Sequence, residues 1–461
     1  ISVGINSLGN RIAVGGYKND GNGSNSGHVR IYEDIGGNWI QIGTDIDGET
    51  MSDKFGKSVD MNSVGDRVVV GAWFAASASL PIGSGQISCY EFTNGSWNQL
   101  GNYINGEATF DYFGISSAIN ASGNIIAGGA YHNDGINGYN SGHVRVYQYN
   151  SGVWTQLGND IDGEAPDDRC GWSVSLNNSG YRVAVGSPQN DGNGSNSGSA
   201  RVYDWNGTSW SQVGSDINGE AVGDHSGNSV SLNASGNILA VGAIYNQDNG
   251  SNSGHVRVYE YIGNSWVQIG GDIDGEAAID ESARSISLDS VGRKIVIGAH
   301  ANDGNGIDSG HARLYRYLNG SWVKVGDDID GENPDDNCGR SVCLSSNGNR
   351  VVIGSPQNDA NGSNAGHVRV YKNCTGSSFS IDFQTVCDSY NWNGNIYNQS
   401  GVYVDTIPGI LTCDSIVTLN LNILQSSSSI DQMSYCDSTT WLDGNTYYAV
   451  SYTHLRAHET R

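Results

Sequence analysis

Apolar and polar residues alternate in short runs from the first residue to about position 372, and the runs come in sets of four. One set reads Ser173–Asn177 (SVSLN), Arg182–Gly186 (RVAVG), Ala200–Tyr203 (ARVY) and Trp210–Gly214 (WSQVG). Apolar, β-branched or aromatic residues fall on alternate positions, the period of a strand in a packed sheet. Between the runs stand clusters of Gly, Asn, Asp and Ser, which are turn formers.

The set recurs. Its third run, GHVRVY or a variant, ends at Tyr32, Tyr90, Tyr147, Tyr203, Tyr259, Tyr315 and Tyr371, so the spacing is 58, 57 and then 56 residues four times. Four short strands per unit make a propeller blade. An open solenoid generally has shorter repeats and distinct capping units, whereas the first and last copies here are ordinary. The predicted fold is therefore all-β: a seven-bladed β-propeller over residues 1–372, followed by small β-rich modules. Trp39, Trp97, Trp154, Trp210, Trp266 and Trp322 mark the fourth strands, six for seven blades. Ile1 has neither an initiator Met nor a signal peptide before it and reads as a truncated N-terminus. The seventh Trp strand is expected upstream of it, paired with His367–Tyr371; Ser378–Phe383 is the alternative donor.

Composition supports the all-β reading and narrows the partners. Gly numbers 66, while charged residues are only 15%, a balance that suits many tight turns and excludes a helical bundle. The formal net charge of -25 argues against nucleic acid, which needs clustered Lys and Arg. No apolar run is long enough for a membrane-spanning helix.

Lys54–Asp60 (KFGKSVD), Arg67–Ala72 (RVVVGA) and Gly85–Tyr90 (GQISCY) together resemble the FG-GAP repeat of integrin α-subunit propellers and their bacterial relatives. Pro188 and Pro356, each after a Ser, stand where that family often has Ala-Pro. The resemblance covers residues 1 to about 372 and implies an extracellular adhesion or ligand-binding module rather than an enzyme. That family often joins its first two strands by a DxDxDG calcium loop. Here the matching turns, Asn177–Gly180 (NNSG) and Asn233–Gly236 (NASG), lack the carboxylates a hard cation needs.

The tail is different. Cys387–Gly394 (CDSYNWNG), Cys413–Asn420 (CDSIVTLN) and Cys436–Trp441 (CDSTTW) resemble the tandem Cys-Asp-Ser modules of large surface proteins of Bacteroidetes-type bacteria. The resemblance divides the tail into one module over 373–425 and the start of a second over 426–450, with Ser426–Ser429 as a linker. It implies secretion as part of a longer surface protein, and a Cys387–Cys413 disulfide in an oxidising compartment. Residues 451–461 break the pattern and resemble a translated sequencing adaptor, a non-native tail. Cys89, Cys170, Cys338, Cys343, Cys374 and Cys436 have no assigned partners.

In a four-stranded meander, the loop between strands two and three and the link to the next blade emerge on one face, where loops carry function. On that face Asn190–Gly198 (NDGNGSNSG) repeats in every blade but the second. Its oxygens, Asp191, Asn193 and Ser195, with Asp20 and Asn22 in blade one, suit calcium, the one candidate cofactor; a turn that satisfies its own backbone is the weightier reading. Links such as Asp160–Asp168 (DIDGEAPDD) repeat a Glu/Asp pair four apart, from Glu49/Asp53 to Glu332/Asp336; six copies speak for architecture. His28, His143, His255, His311 and His367 open third strands and read as structural. Arg30/Asp45, Arg145/Asp160, Arg201/Asp216, Arg257/Asp272 and Arg313/Asp328, each fifteen apart, predict buried ion pairs across the hairpin of strands three and four.

Blade two breaks the repeat with Trp73 and Phe74, and its surroundings add Tyr103, Phe110, Tyr112, Tyr131 and Tyr139. Aromatics gathered on a polar face suit sugar stacking or a protein hot spot. The sequence thus reads as a surface binding module presenting an acidic, Asn-rich face to a glycan or protein ligand. A propeller-type lyase or glycosidase is the alternative and would need unrepeated acids or His near the axis; a structural spacer is the third reading.

Overall fold

The computed structural model describes residues 1–76, 81–372, 380–392, 395–407, 415–424, 427–429, 438–440, 446–448 and 456–458. The chain divides into two compact units, Ile1–Asn373 and Cys374–Arg461.

In the first unit each repeat folds onto itself. Blade one runs Ser2–Ile5, Arg11–Gly16, His28–Ile35 and Asn38–Gln41, antiparallel in chain order. Beyond Gln41 the outer strand leaves the ladder, and Ile46–Asp47 then rejoins the same edge through Val29↔Ile46 and His28↔Asp47. Five further sheets repeat this plan, and the seventh holds Ser341–Leu344, Arg350–Ser355 and His367–Lys372. Among the described residues no fourth strand covers the last of these. Ser380–Cys387, which includes most of the alternative donor, instead pairs in parallel with Ser415–Leu424 in the second unit.

Alternation buries both faces of every blade, so the core is a set of seams between blades. Val68 and Val70 face Ile31 of blade one, while Val69, on the opposite face, joins Ile126 of blade three. At the ring's closure Val3, Ile5 and Ile12 meet Val352, and Val3 N donates to Ser341 Oγ at 3.1 Å. The first strands of successive blades touch one another around a complete ring. Ser58 Oγ donates to Gly114 O at 2.9 Å and Ser116 Oγ to Gly171 O at 2.8 Å, and the pattern continues around the axis. At the rim, Trp Nε1 of one blade donates to a carbonyl of the preceding blade, as from Trp266 to Val213 O at 2.8 Å.

In the second unit Gly401–Ile407 and Ser380–Cys387 flank Ser415–Leu424, over a small core of Trp392, Leu419, Leu421 and Ile423. Ser427–Ser429, expected as a linker, forms a short ladder with Arg456–His458. Cys374, Cys413 and Cys436 lie outside the described residues, as does the side chain of Cys387, while Cys89, Cys170, Cys338 and Cys343 are free thiols.

Candidate ligand site at the axial mouth

The long loops and interblade links share one face and hold each other through backbone bonds, for example Ser226 N to Ser197 O at 3.0 Å and His225 N to Asn196 O at 3.1 Å. The Glu/Asp pairs serve this architecture. Asp168, buried, accepts from Glu164 N and Ala165 N at 2.9 Å and from Asn190 Nδ2 at 3.2 Å, pinning link to loop. The candidate calcium loop is likewise closed on itself. Asp191 Oδ1 accepts from Asn196 N at 2.8 Å, and Asn193 points its amide at Gly219 O, 2.8 Å away. Asp20 and Asn22 do the same toward Asn25 N and Gly48 O. Ser195 is exposed at the loop tip. In this arrangement the Asn side chains turn their NH2 groups to backbone carbonyls and serve the loop's own closure.

The arginine pairs need correcting. Arg30–Asp45 at 2.8 Å, Arg145–Asp160 at 3.5 Å and Arg313–Asp328 at 2.8 Å form, although Arg30 is 42% exposed. The Asp lies in the break of the outer strand rather than in the ladder opposite the Arg. Arg201/Asp216 and Arg257/Asp272 do not pair. Their guanidinium groups swing to the preceding blade's link, Arg201 to Glu164 at 3.4 Å and Arg257 to Glu220 at 3.3 Å. The same cross-blade pairing recurs at Arg145–Glu107, Arg313–Glu276 and Arg369–Glu332. Sequence reasoning missed it because it sought partners inside one hairpin.

The structure brings five of the seven named aromatic rings together beside the residues that follow the second strands. Trp73, Phe74, Phe110 and Tyr112 form one group, with ring centroids 4.8 Å apart for Trp73–Tyr112 and 6.1 Å for Phe74–Tyr112. It continues through Tyr131, 5.7 Å from Tyr112, to His132 and Trp172. Two of the named residues stand apart. Tyr103 is on the outer edge, its hydroxyl donating to Glu49 at 2.6 Å, and Tyr139 sits on a loop tip, 65% exposed.

Two repeated backbone devices build this mouth. In blades two to seven the residue just before the bridge or strand that opens the first-strand segment adopts the left-handed conformation: Lys54 (φ 55°), Tyr112 (57°), Arg169 (58°), His225 (54°), Glu281 (50°) and Asn337 (53°). For non-glycine residues this costs about 1 kcal/mol or more each. It brings each side chain onto the residues that follow the second strands, as Lys54 over Trp73, Arg169 over Tyr131, His225 against Tyr245 and Glu281 beside His300. Register shifts then lift Lys57, Asn228 and Arg284 out of the ladder, between Phe55 and Ser58, Ser226 and Ser229, and Ser282 and Ser285. Bulges re-aim side chains in this way. The equivalent places hold Trp172 and Arg340.

Lys18, Lys54, Lys57, Arg169, Arg284 and Arg340 therefore gather around one end of the axis in a chain of net charge -25. Burial, reinforced by Arg284, Arg340, Lys54 and Lys18, lowers the Lys57 ammonium to about 8. Burial and Arg340 lower Arg284 to about 10, and burial with Arg340 and Arg284 lowers His300 to about 3. Four buried polar atoms here, Trp73 Nε1, Arg169 Nε, Asn228 Nδ2 and His300 Nδ1, have no hydrogen-bond partner. Unsatisfied groups are rare in folded proteins and cluster where something binds. Glu281 Oε2 lies 3.5 Å from His300 Nε2, and burial raises the Glu281 carboxyl despite Arg284 and Arg340.

The FG-GAP repeat family matches at residues 161–203 and 218–259. Among curated proteins none is significantly similar in sequence. Of solved structures, a protein named as a 6-phosphogluconolactonase from Bacteroides uniformis is 13% identical, with 78% of this chain and 91% of that one covered and a TM-score of 0.53. A periplasmic gluconolactonase from Pseudomonas aeruginosa is also 13% identical, covering 72% and 86%, with a TM-score of 0.49. The first likeness shows the propeller fold. It also corrects the expectation that the chain is no enzyme, since a protein of matching architecture is named as one. Among the described residues no helix is long and apolar enough to cross a membrane.

Proposed function

We propose that the propeller is a surface or secreted module that takes an anionic carbohydrate at its axial mouth. One observation carries the reading: Lys54, Lys57 and Arg169 lie over the rings of Trp73 and Tyr131, with Arg284, Arg340 and Lys18 near enough to act on Lys57, in an otherwise strongly acidic protein. Aromatic faces stack on sugar rings, and a desolvated cluster of like charges is stabilised by an anion such as a carboxylate or phosphate. The acidic outer loops add selectivity, because they repel an extended polyanion while a short acidic sugar reaches the centre. The extracellular setting rests on the FG-GAP likeness.

Calorimetric titration with uronic-acid oligosaccharides, sugar phosphates and neutral oligosaccharides tests this. Binding of an acidic class, weakened about tenfold or more by Lys57→Met with Arg340→Met and by Trp73→Ala, is the expected result. Equal affinity for neutral sugars, or wild-type binding by these variants, would overturn it.

Glu281 and His300 favour a second reading on the same site. They are an unrepeated acid and imidazole beside Arg284 and Arg340, the arrangement a propeller enzyme needs. Cations that neutralise a substrate carboxylate make the adjacent C–H more acidic; in this reading Glu281 takes that proton, the electron pair forms the C=C bond as the β C–O bond breaks, and the leaving oxygen takes a proton from water. Loss of a slow β-elimination of polyuronate in Glu281→Gln, with binding kept, would support it; no new C=C absorbance with any uronate would remove it.

A further inference from the structure

We propose that blade five holds a site for a divalent transition-metal ion, Zn²⁺ or Mn²⁺, formed by His255 Nδ1 and the carboxylates of Glu220, Asp248 and Asp272. The four groups offer atoms that all lie within 4.8 Å of one another. His255 Nδ1 is 4.0 Å from Glu220 Oε2, 3.9 Å from Asp248 Oδ2 and 3.8 Å from Asp272 Oδ2. Its ring is 1% exposed, and neither nitrogen has a hydrogen-bond partner. A buried imidazole aimed at three carboxylate oxygens without bonding any of them is the arrangement of ligands around a shared ion. Tetrahedral zinc with arms of about 2.0–2.1 Å separates its ligands by about 3.4 Å, and the exposed Glu220 and Asp248 can close the remainder by rotation.

Three sister clusters show why blade five differs. His28, His143 and His311 also meet acids, but there the guanidinium sits inside the group. Arg30 lies 2.8 Å from Asp45 and Arg313 2.8 Å from Asp328, while Arg145 Nε donates to His143 Nε2 at 3.1 Å. In blade five Arg257 turns away, donating to Asn218 O at 2.8 Å and approaching the far oxygen of Glu220 at 3.3 Å. Gln268 Nε2 holds Asp272 Oδ1 at 2.6 Å, which leaves Oδ2 toward the imidazole, a supporting contact of the kind that orients metal ligands. The fourth ligand is peculiar to this blade. Asp248 stands where the corresponding loop positions hold Gly21, Gly192 and Gly304.

Charge and donor chemistry select the ion. Three carboxylates and one Arg leave a net charge of about -2, which one divalent ion balances. A metal ion takes an imidazole through the lone pair of its neutral form, and Nδ1 is the nitrogen that faces the three carboxylates. The imidazole nitrogen suits zinc, the three carboxylates also suit manganese, and calcium, which takes oxygen ligands, is disfavoured by the nitrogen.

The test is calorimetric titration of the chelator-stripped full chain with ZnCl₂, MnCl₂ and CaCl₂, beside Asp248→Gly and Glu220→Gln. Asp248→Gly restores the repeat's own residue, so its metal-free melting temperature should match wild type. We expect saturable binding of Zn²⁺ or Mn²⁺ that weakens about tenfold or more in both variants, with a metal-induced rise in melting temperature seen only in wild type. Because the chain also has 8 cysteines, the difference between wild type and variants is the readout. Variants that bind as wild type, the absence of saturable binding, or a preference for Ca²⁺ would overturn the proposal.

Discussion

Single residues that depart from the repeat carry the unusual energetics of this propeller. Lys57 occupies a bulge in a crowd of cations, and its ammonium is lowered to about 8, first by burial. An unfolded lysine titrates near 10.4, so the folded state penalises the charge below pH 8, and the penalty is relieved as pH rises from about 8 to 10. Lys57→Met should raise the melting temperature at pH 7, by about 1–2 kcal/mol of stability after discounting for solvent at the mouth, with little gain at pH 10. Binding of an acidic sugar has the opposite trend and should weaken as pH rises through about 8. A binding profile flat from pH 7 to 9 would place the anion elsewhere. Asp60 is the mirror case. It lines the axis where later copies have Ser175, Ser231 and Ser287, and burial raises its carboxyl to about 6 even though Ile119 N and Met61 N donate to it. Its folded form is therefore least costly when protonated, and stability falls as pH rises from about 4 to 6. Asp60→Ser should be more stable than wild type by about 1–2 kcal/mol at pH 7.5, discounted for the part of its surface open to the channel, and no more stable at pH 4. Denaturant melts at the two pH values decide this.

At the level of strands and turns, the recurring joint is a glycine of one blade under a tryptophan of the next. Gly214 has φ +74°, and a Cβ there would lie 2.8 Å from Trp266 Cδ1; Gly207 has φ +101° with nothing near. Gly207→Ala should lose only the conformational term, about 1 kcal/mol, and Gly214→Ala should lose about twice that or more because the indole must shift from its carbonyl. Equal melting temperatures for the two variants would show that the joint does not hold the seam. These elements were legible: the Tyr register and the Trp series gave strand order, blade count and the sharing of one face by loops and links. The mouth was legible only in part. Trp73 and Tyr112 announced themselves as aromatics in one broken copy. Lys57, Arg284 and Arg340 did not, because Lys57 has only Lys54 beside it in the sequence while Arg284 and Arg340 stand in other repeats, and they become one group only when ring closure brings together positions hundreds of residues apart. Superposing the repeats and looking for places where a charge replaces the common residue would have found them. The cross-blade Arg–Glu pairs escaped for a related reason, since Glu164 and Arg201 sit 37 residues apart in different repeats.

For the whole ring, the consequence of this architecture is concentrated at one seam. Six blades bury the outer edge of their third strand under a Trp strand, while His367–Lys372 has no such cover among the described residues. Blade one is affected too. Trp97, Trp154, Trp210, Trp266 and Trp322 each donate to a carbonyl in the outer-strand region of the blade before them, whereas Trp39 instead lies under the Arg350 guanidinium, 5.6 Å from it. An uncovered edge presents free N–H and C=O groups and invites pairing with another chain. Grafting the blade-five hairpin and link, the Tyr261–Asp274 sequence, directly after Lys372 would give His367–Lys372 a ladder partner and Trp39 a carbonyl to bond. The graft should raise the propeller's melting temperature by a few degrees, reduce self-association at high concentration, and slow exchange of the Trp39 indole proton. If the melting temperature and exchange do not change, the seventh blade's edge is already satisfied in solution, and the seam between blades seven and one is no weaker than the other six.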